Sequence, residues 1–356
     1  MAGQWHEKWL TKRNGIIVLL LIALLFPVVI DNQYYLQVII KAIIFSIAVY
    51  GLNIIAGYTG QLNLAHAGFF AIGAYSVGLL TVKAGLNYWL ALGLALVITT
   101  VLGLVIGLIA LRTTGHFFAI YTLCVGYIIY LIIYKWDEFT GGVRGLIGIP
   151  APAPLGPLSF NTLVSQYYLT LFFLIITIFV IYRLSHSLLG RTFVAIRNSE
   201  ELAQTIGVNT MTNKLTAFVL STFFAGLAGG LYASFIRFLG PEISYVVITF
   251  DMVMYLLVGG IGTLAGPVIG TVLVTVIVQS LQFLEDYRML VFGPVLVLLI
   301  VFYPRGLVGG YLEWKIKRDL KRKSEQMKSG GRDRTVVQPH HNAKLGSQTE
   351  GRKEMA

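Results

Sequence analysis

Two glycine-rich segments break otherwise apolar, charge-free stretches of this chain, and the polar side chains beside them are the ones best placed to do chemistry. The first reads Gly57-Tyr58-Thr59-Gly60-Gln61-Leu62-Asn63-Leu64-Ala65-His66, and the second contains Gly259, Gly260, Gly262, Gly266 and Gly270. Irregular backbone at membrane depth is tolerated only where protein or a water-filled cavity meets its hydrogen bonds. Gln61 and Asn63 offer uncharged donors and acceptors that could contact a zwitterionic solute or hold the broken backbone in place. His66 and His116, near the inner ends of apolar stretches, can relay a proton or pack with a satisfied ring nitrogen. Asp251 and Lys41 fall within a turn or two of an expected outer boundary, where both can face headgroups.

This chemistry is that of holding and passing a solute. Bond-making sites are missing: there is no H-E-x-x-H, no G-x-S-x-G and no GxxxxGK[ST], and no Lys follows a Gly, so the chain has no P-loop for ATP. Cys124 is the lone cysteine, which excludes disulfides and cysteine-based zinc sites and leaves it as a small, buried apolar residue. No catalytic residue, metal ligand or cofactor is expected.

The elements that must position these residues are transmembrane helices. Hydrophobic residues make up 56% of the 356 positions and charged residues 12%, against roughly 45–50% and 25% in soluble domains. No Asp, Glu, Lys or Arg occurs in residues 42–82, 84–111, 113–134, 145–182 or 215–236. A bilayer-spanning helix needs about 20 mostly apolar residues, so each run holds one or two crossings. The expected fold is all-α, with ten crossings near 16–30, 35–55, 62–82, 88–111, 116–134, 166–182, 215–236, 246–260, 267–283 and 290–303. Lys8, Lys12 and Arg13 precede the first, which lacks a small-x-small cleavage site and reads as uncleaved.

Charge sets the orientation. With the N-terminus inside, the inner side receives Arg112, the group Arg183, Arg191, Arg197 and Lys214, then Arg305 and the basic tail, whereas the outer side receives Lys83, Lys135, Arg144, Arg237 and Arg288. That asymmetry predicts both termini in the cytoplasm. The net charge of +11 comes mostly from residues 315–354, where twelve Lys or Arg face five Asp or Glu. Anionic lipid headgroups suffice as partner for that surplus, and no nucleic acid is needed. The resulting plan is a cytoplasmic segment 1–15, a membrane domain 16–310 and a polar, disordered tail 311–356. Within the membrane domain, an outer loop 135–165, rich in Gly and Pro, reads as a turn-filled cap with no helix, and an inner loop spans 184–214.

In the inner loop, Asn198-Ser199-Glu200-Glu201 precedes Leu202-Ala203-Gln204-Thr205-Ile206-Gly207. Asn198 can cap a short helix with Glu201 answering three residues on, and Gly207 can end it in a left-handed conformation. So short a helix is marginal alone in water and needs a docking partner. A surface-lying amphipathic connector is the alternative. The two glycine clusters also hint at an internal repeat, although small residues at helix crossings would look the same.

Residues 57–75 (GYTGQLNLAHAGFFAIGAY) resemble the glycine-rich signature of the permeases of branched-chain amino acid ABC importers, with Asn63 and Ala65 where Ser and Gly are usual. Residues 112–123 (RTTGHFFAIYTL), 140–150 (TGGVRGLIGIP), 259–270 (GGIGTLAGPVIG) and 303–309 (YPRGLVG) follow in the family's order. The TGG-x-x-GL-x-GIP stretch favours the LivM-like half of the permease pair. The resemblance implies a bacterial inner-membrane location and import of Leu, Ile or Val. It also implies a LivH-like sister permease, two ATP-binding subunits and a periplasmic amino acid-binding protein. Glu201-x-Ala203-x-x-x-Gly207 keeps the spacing of the family's ATPase-docking motif, with Leu202 in place of the central Ala. The implied coupling residues are therefore Asn198, Glu200, Glu201, Ala203 and Gly207. The implied pathway residues are Gly57, Gly60, Gln61, Asn63, His66, Thr113, Gly259, Gly260 and Gly262. A urea or short-chain amide permease shares these membrane signatures. A carrier working alone, with Asp251 or the histidines as coupling groups, would have no use for a docking helix.

Overall fold

The computed structural model describes residues 23–27, 29, 32–156, 159–280, 294, 306–310, 313–315, 317, 318 and 320. The chain divides into two units, 1–310 and 311–356. In the second, Lys317 pairs with Glu313 at 3.1 Å, and the Arg318 guanidinium lies 5.3 Å from the centre of the Trp314 ring.

The first unit is a helical bundle whose elements begin where the sequence supplies a capping side chain. Helix α1 (Gln33–Leu52) starts at Asn32, α3 (Tyr88–Ala110) at Asn87, α5 (Leu163–His186) at Thr162, α6 (Leu188–Asn198) at Ser187, α7 (Glu200–Thr205) at Ser199 and α8 (Thr210–Ile236) at Asn209. In each case the cap oxygen accepts a first-turn N–H that has no helical partner. Helices α2 (His66–Val82), α4 (His116–Lys135) and α9 (Val246–Gly259) lack such a cap and follow a glycine-containing or irregular segment, as does α10 (Gly266–Ser280), whose first amide, Gly266 N, donates to Thr263 Oγ1 at 3.0 Å.

Among the described residues, five helices are long and apolar enough to cross a membrane: Gln33–Tyr58, Tyr88–Ala110, His116–Lys135, Leu163–His186 and Thr210–Ile236. Of the ten expected crossings, eight coincide with helices, while 16–30 and 290–303 lie largely outside the described residues. Two of the eight, α2 and α9, are shorter than expected. At 1.5 Å per residue, their 17 and 14 residues reach only about 21–26 Å, short of a hydrocarbon core of about 30 Å. Each of these two helices adjoins a glycine break.

Burial separates centre from periphery. The most apolar window of Gln33–Tyr58 is 83% buried and that of α8 is 67% buried, whereas α3 and α4 are buried over 28% and 22%. α1, α2 and α8 therefore form the interior, and α3 and α4 turn residues such as Val97, Val101, Ile120 and Ile128 outward, as suits lipid. Backbones in the interior touch where side chains are absent: a Cβ on Gly73 of α2 would collide with the backbone of Gly226 of α8.

The outer loop is not wholly free of helix. Asp137–Thr140 forms one helical turn, followed by a tight turn Gly142–Arg144 and a two-residue strand, β1 (Leu146–Ile147). β1 pairs antiparallel with β2 (Phe238–Leu239), so the loops after α4 and α8 join at one end of the bundle. The Thr140 hydroxyl donates to the Ile133 and Trp136 carbonyls and accepts from Gly142 N, and Gly141 and Gly142 both have positive φ. The TGG stretch is thus a turn device.

Candidate functional site

α1 does not end cleanly. Residues Asn53–Tyr58 widen into a π-helical turn, a local defect often found at functional positions. Beyond it the backbone takes its hydrogen bonds from side chains. Thr59 Oγ1 donates to the Ile55 carbonyl at 2.6 Å, Asn63 Oδ1 accepts from Ala65 N at 3.0 Å, Leu64 N donates to Thr122 Oγ1 at 3.1 Å and Ala67 N donates to Thr249 Oγ1 at 3.0 Å. α4 and α9 therefore help hold the break open, meeting the requirement that irregular backbone be satisfied by protein.

The second break faces the first. The buried Asn53 side chain accepts from Gly262 N at 2.8 Å and donates to the Thr263 carbonyl at 3.0 Å, and one turn earlier the Tyr50 hydroxyl donates to the Leu264 carbonyl at 2.6 Å. Gly57 is demanded by this approach, since a Cβ there would sit 2.8 Å from Gly262 N. Arg197, in the last turn of α6, reaches the same place. Its Nη1 donates to the Gly57 carbonyl at 2.5 Å, and its stem runs beside Gly60, where φ is +77°. Tyr50, Asn53 and Arg197 escape the sequence reading. The available signals were a lone amide inside a charge-free run and an inner-loop cation that counts there only as net charge.

The expected pathway residues do not all converge. Gly57, Gly60 and Gly262 meet around Arg197 and Asn53, and Gly260, at φ +120°, begins the second break just after α9. Gly259 serves a different contact, against Gly266 and Gly270, where α9 meets α10. His66 is fully buried. Its Nε2 lies 2.8 Å from the Ala48 carbonyl, which can only accept, so Nε2 carries the proton, and Ser221 Oγ is 3.5 Å from Nδ1. Thr113 bonds only locally, to the Ala110 carbonyl after α3. Gln61 Oε1 and Asn63 Nδ2 are buried beside the first break with no protein partner, one an acceptor and the other a donor. Three further expectations are corrected: Asp251 is buried in α9, His116 is exposed at the start of α4, and Cys124 is exposed on the outer face of α4, where lipid suits a thiol as well as a core does.

The inner loop folds into α6 and α7. Asn198 is the last residue of α6 and does not cap α7; Ser199 does, its Oγ accepting from Leu202 N at 3.2 Å. The shift by one residue moves Glu201 out of the answering position. Glu200, in the first turn, instead pairs with the buried Lys214 of α8 at 2.5 Å, so Lys214 is not a free inner-side cation. Ala203 is buried, and the Gly207 and Val208 amides close the helix onto the Gln204 and Ala203 carbonyls. Gly207 ends α7 at φ +86°. Leu202 and Ile206, one turn apart, are 67% and 73% exposed, and Glu201 is exposed beside them.

Comparison with known proteins agrees with this architecture. Residues 34–300 match the family described as branched-chain amino acid transport system, permease component. The chain is 30% identical over 316 residues to the high-affinity branched-chain amino acid transport system permease protein LivM of Salmonella typhimurium, and 29% identical over 316 residues to LivM of Escherichia coli, in both cases covering 82% of this chain and 74% of the relative. The permease protein LivH of Salmonella typhimurium is 23% identical over 302 residues, 78% of this chain and 96% of its own. No solved structure matches significantly. The paired glycine breaks, the capped loop helices and the match over most of the chain agree in one conclusion: this protein belongs to the branched-chain amino acid transport permease family.

Proposed function

We propose that this chain is the LivM-like permease subunit of an inner-membrane ABC importer that moves Leu, Ile or Val inward. It works with a LivH-like sister permease, two subunits that hydrolyse ATP and a periplasmic amino acid-binding protein. The observation that carries this reading is the pairing of an anchored loop with an exposed apolar edge. α7 is tied down at Ser199, Ala203 and the Glu200–Lys214 ion pair, yet turns Leu202 and Ile206 outward. A surface-lying connector would need its own apolar stripe in lipid and no rigid link to the bundle, whereas a lever driven by another subunit needs both anchor and docking edge. Similarity to relatives named for branched-chain amino acids favours these over urea as the solute.

The open acceptor of Gln61 and open donor of Asn63 support a zwitterionic solute passing the first break, since an ammonium needs an acceptor and a carboxylate a donor. Ten crossings with both ends in the cytoplasm complete the proposal. Purifying the chain from its native membrane should bring a P-loop ATPase with it, and the purified assembly should take up leucine into vesicles when ATP is supplied. A transport-active assembly of this polypeptide alone would overturn the reading.

A further inference from the structure

We infer that Arg197 is the strut through which movement of the loop helices reaches both glycine breaks. The inference rests on the subunit reading above and adds the residue that does the work. Arg197 lies in the last turn of α6, three residues before α7 begins, so any push on α7 displaces it directly. Its guanidinium donates to the carbonyl of Gly57, in the widened end of α1. The same group runs through space that side chains would otherwise fill. A Cβ on Gly60 would sit 3.1 Å from Arg197 Cγ, and one on Gly262 would sit 2.8 Å from its Nη1. Two glycines, one from each break and 202 residues apart in sequence, thus leave room for a single arginine.

Two features make the contact directional. α6 is seated by the buried Phe193 and Ile196 and by its Ser187 cap, while α7 is held to α8 through Glu200 and Lys214, so the loop moves as a unit. Among the described residues, Arg197 has no carboxylate partner, so its recorded side-chain bond is spent on the Gly57 carbonyl. A helix end exposes carbonyls without helical partners, and a guanidinium can hold one while pressing its flat stem on the neighbouring backbone. Breaking that bond frees the end of α1 and, through Asn53, the second break.

The test uses the assembled complex in vesicles, measuring ATP hydrolysis and leucine uptake in parallel. Arg197→Gln should leave assembly and hydrolysis close to those of the parent while uptake falls by about tenfold or more, the factor for losing one charge-assisted hydrogen bond. Arg197→Lys, a point donor without the planar fork, should lie between the two. Arg191→Gln removes the same charge from the same helix at a site that is exposed like Arg197 but lacks its bond to Gly57, and should transport normally. Should Arg197→Gln fail to accumulate, the split between hydrolysis and uptake is read from Arg197→Lys. Parent-like uptake in Arg197→Gln, or a proportional fall of hydrolysis and uptake in whichever variant is read, overturns the strut. Failure of the unmodified chain to assemble with any ATPase overturns the subunit reading and the strut with it.

Discussion

Asn53 does with one side chain what two separate caps would do in a soluble protein. Its amide accepts from Gly262 N and donates to the Thr263 carbonyl, so both polar atoms are used and two backbone groups of the second break are satisfied. Leucine has nearly the same shape and neither polar atom. Asn53→Leu should therefore leave the Gly262 amide and Thr263 carbonyl unpaired and cost about 1–3 kcal/mol of stability. The measurement is thermal unfolding of the purified protein in detergent, and an unchanged midpoint would mean the two breaks do not depend on this bridge. The His66 ring carries no comparable liability, because its carbonyl partner lies on α1, within the best-buried part of the bundle.

Among the elements, α7 is the one whose length makes it fragile. Six residues make less than two turns, and such a helix survives only by its ends and its docking. The far end depends on Gly207, at φ +86°, where an added Cβ would meet nothing within 4 Å. The cost of a side chain there is thus purely conformational, about 1–2 kcal/mol for a residue that avoids the left-handed region. Gly207→Val should leave membrane abundance normal, weaken ATPase association and abolish leucine uptake, whereas Gly207→Asn, which tolerates that conformation, should keep most of both. Full uptake by Gly207→Val with the ATPase bound would reduce α7 to a connector.

At the scale of the whole molecule, the loops expected on opposite sides of the membrane fold into different elements of the bundle. The segment before α5 contributes β1 to the sheet with β2, and the segment after α5 forms α6 and α7. Orientation can be read by labelling. In a Cys124→Ser background, needed because the native thiol is exposed, Asn161→Cys should react with an impermeant thiol reagent in intact cells and Ser199→Cys should not. Thr140, in the same outer loop, is buried and would report nothing. Labelling of Ser199→Cys from outside would reverse the proposed topology.

Apolar runs and helix class were legible in the residues alone, because burial in lipid is written into the composition of neighbouring positions. The positive-φ end at Gly207 was legible as well. The cap of α7 was misread by one residue, since Asn198 and Ser199 are both good caps and only the packing that continues α6 through Asn198 chooses between them. Nothing local reveals that Asn53 meets Gly262, that Arg197 meets Gly57 or that Leu146 pairs with Leu239, contacts that join positions 209, 140 and 93 residues apart. The glycines announced that the backbone would break. Which break would face which, and which side chain would lie between them, was decided only when the helices packed.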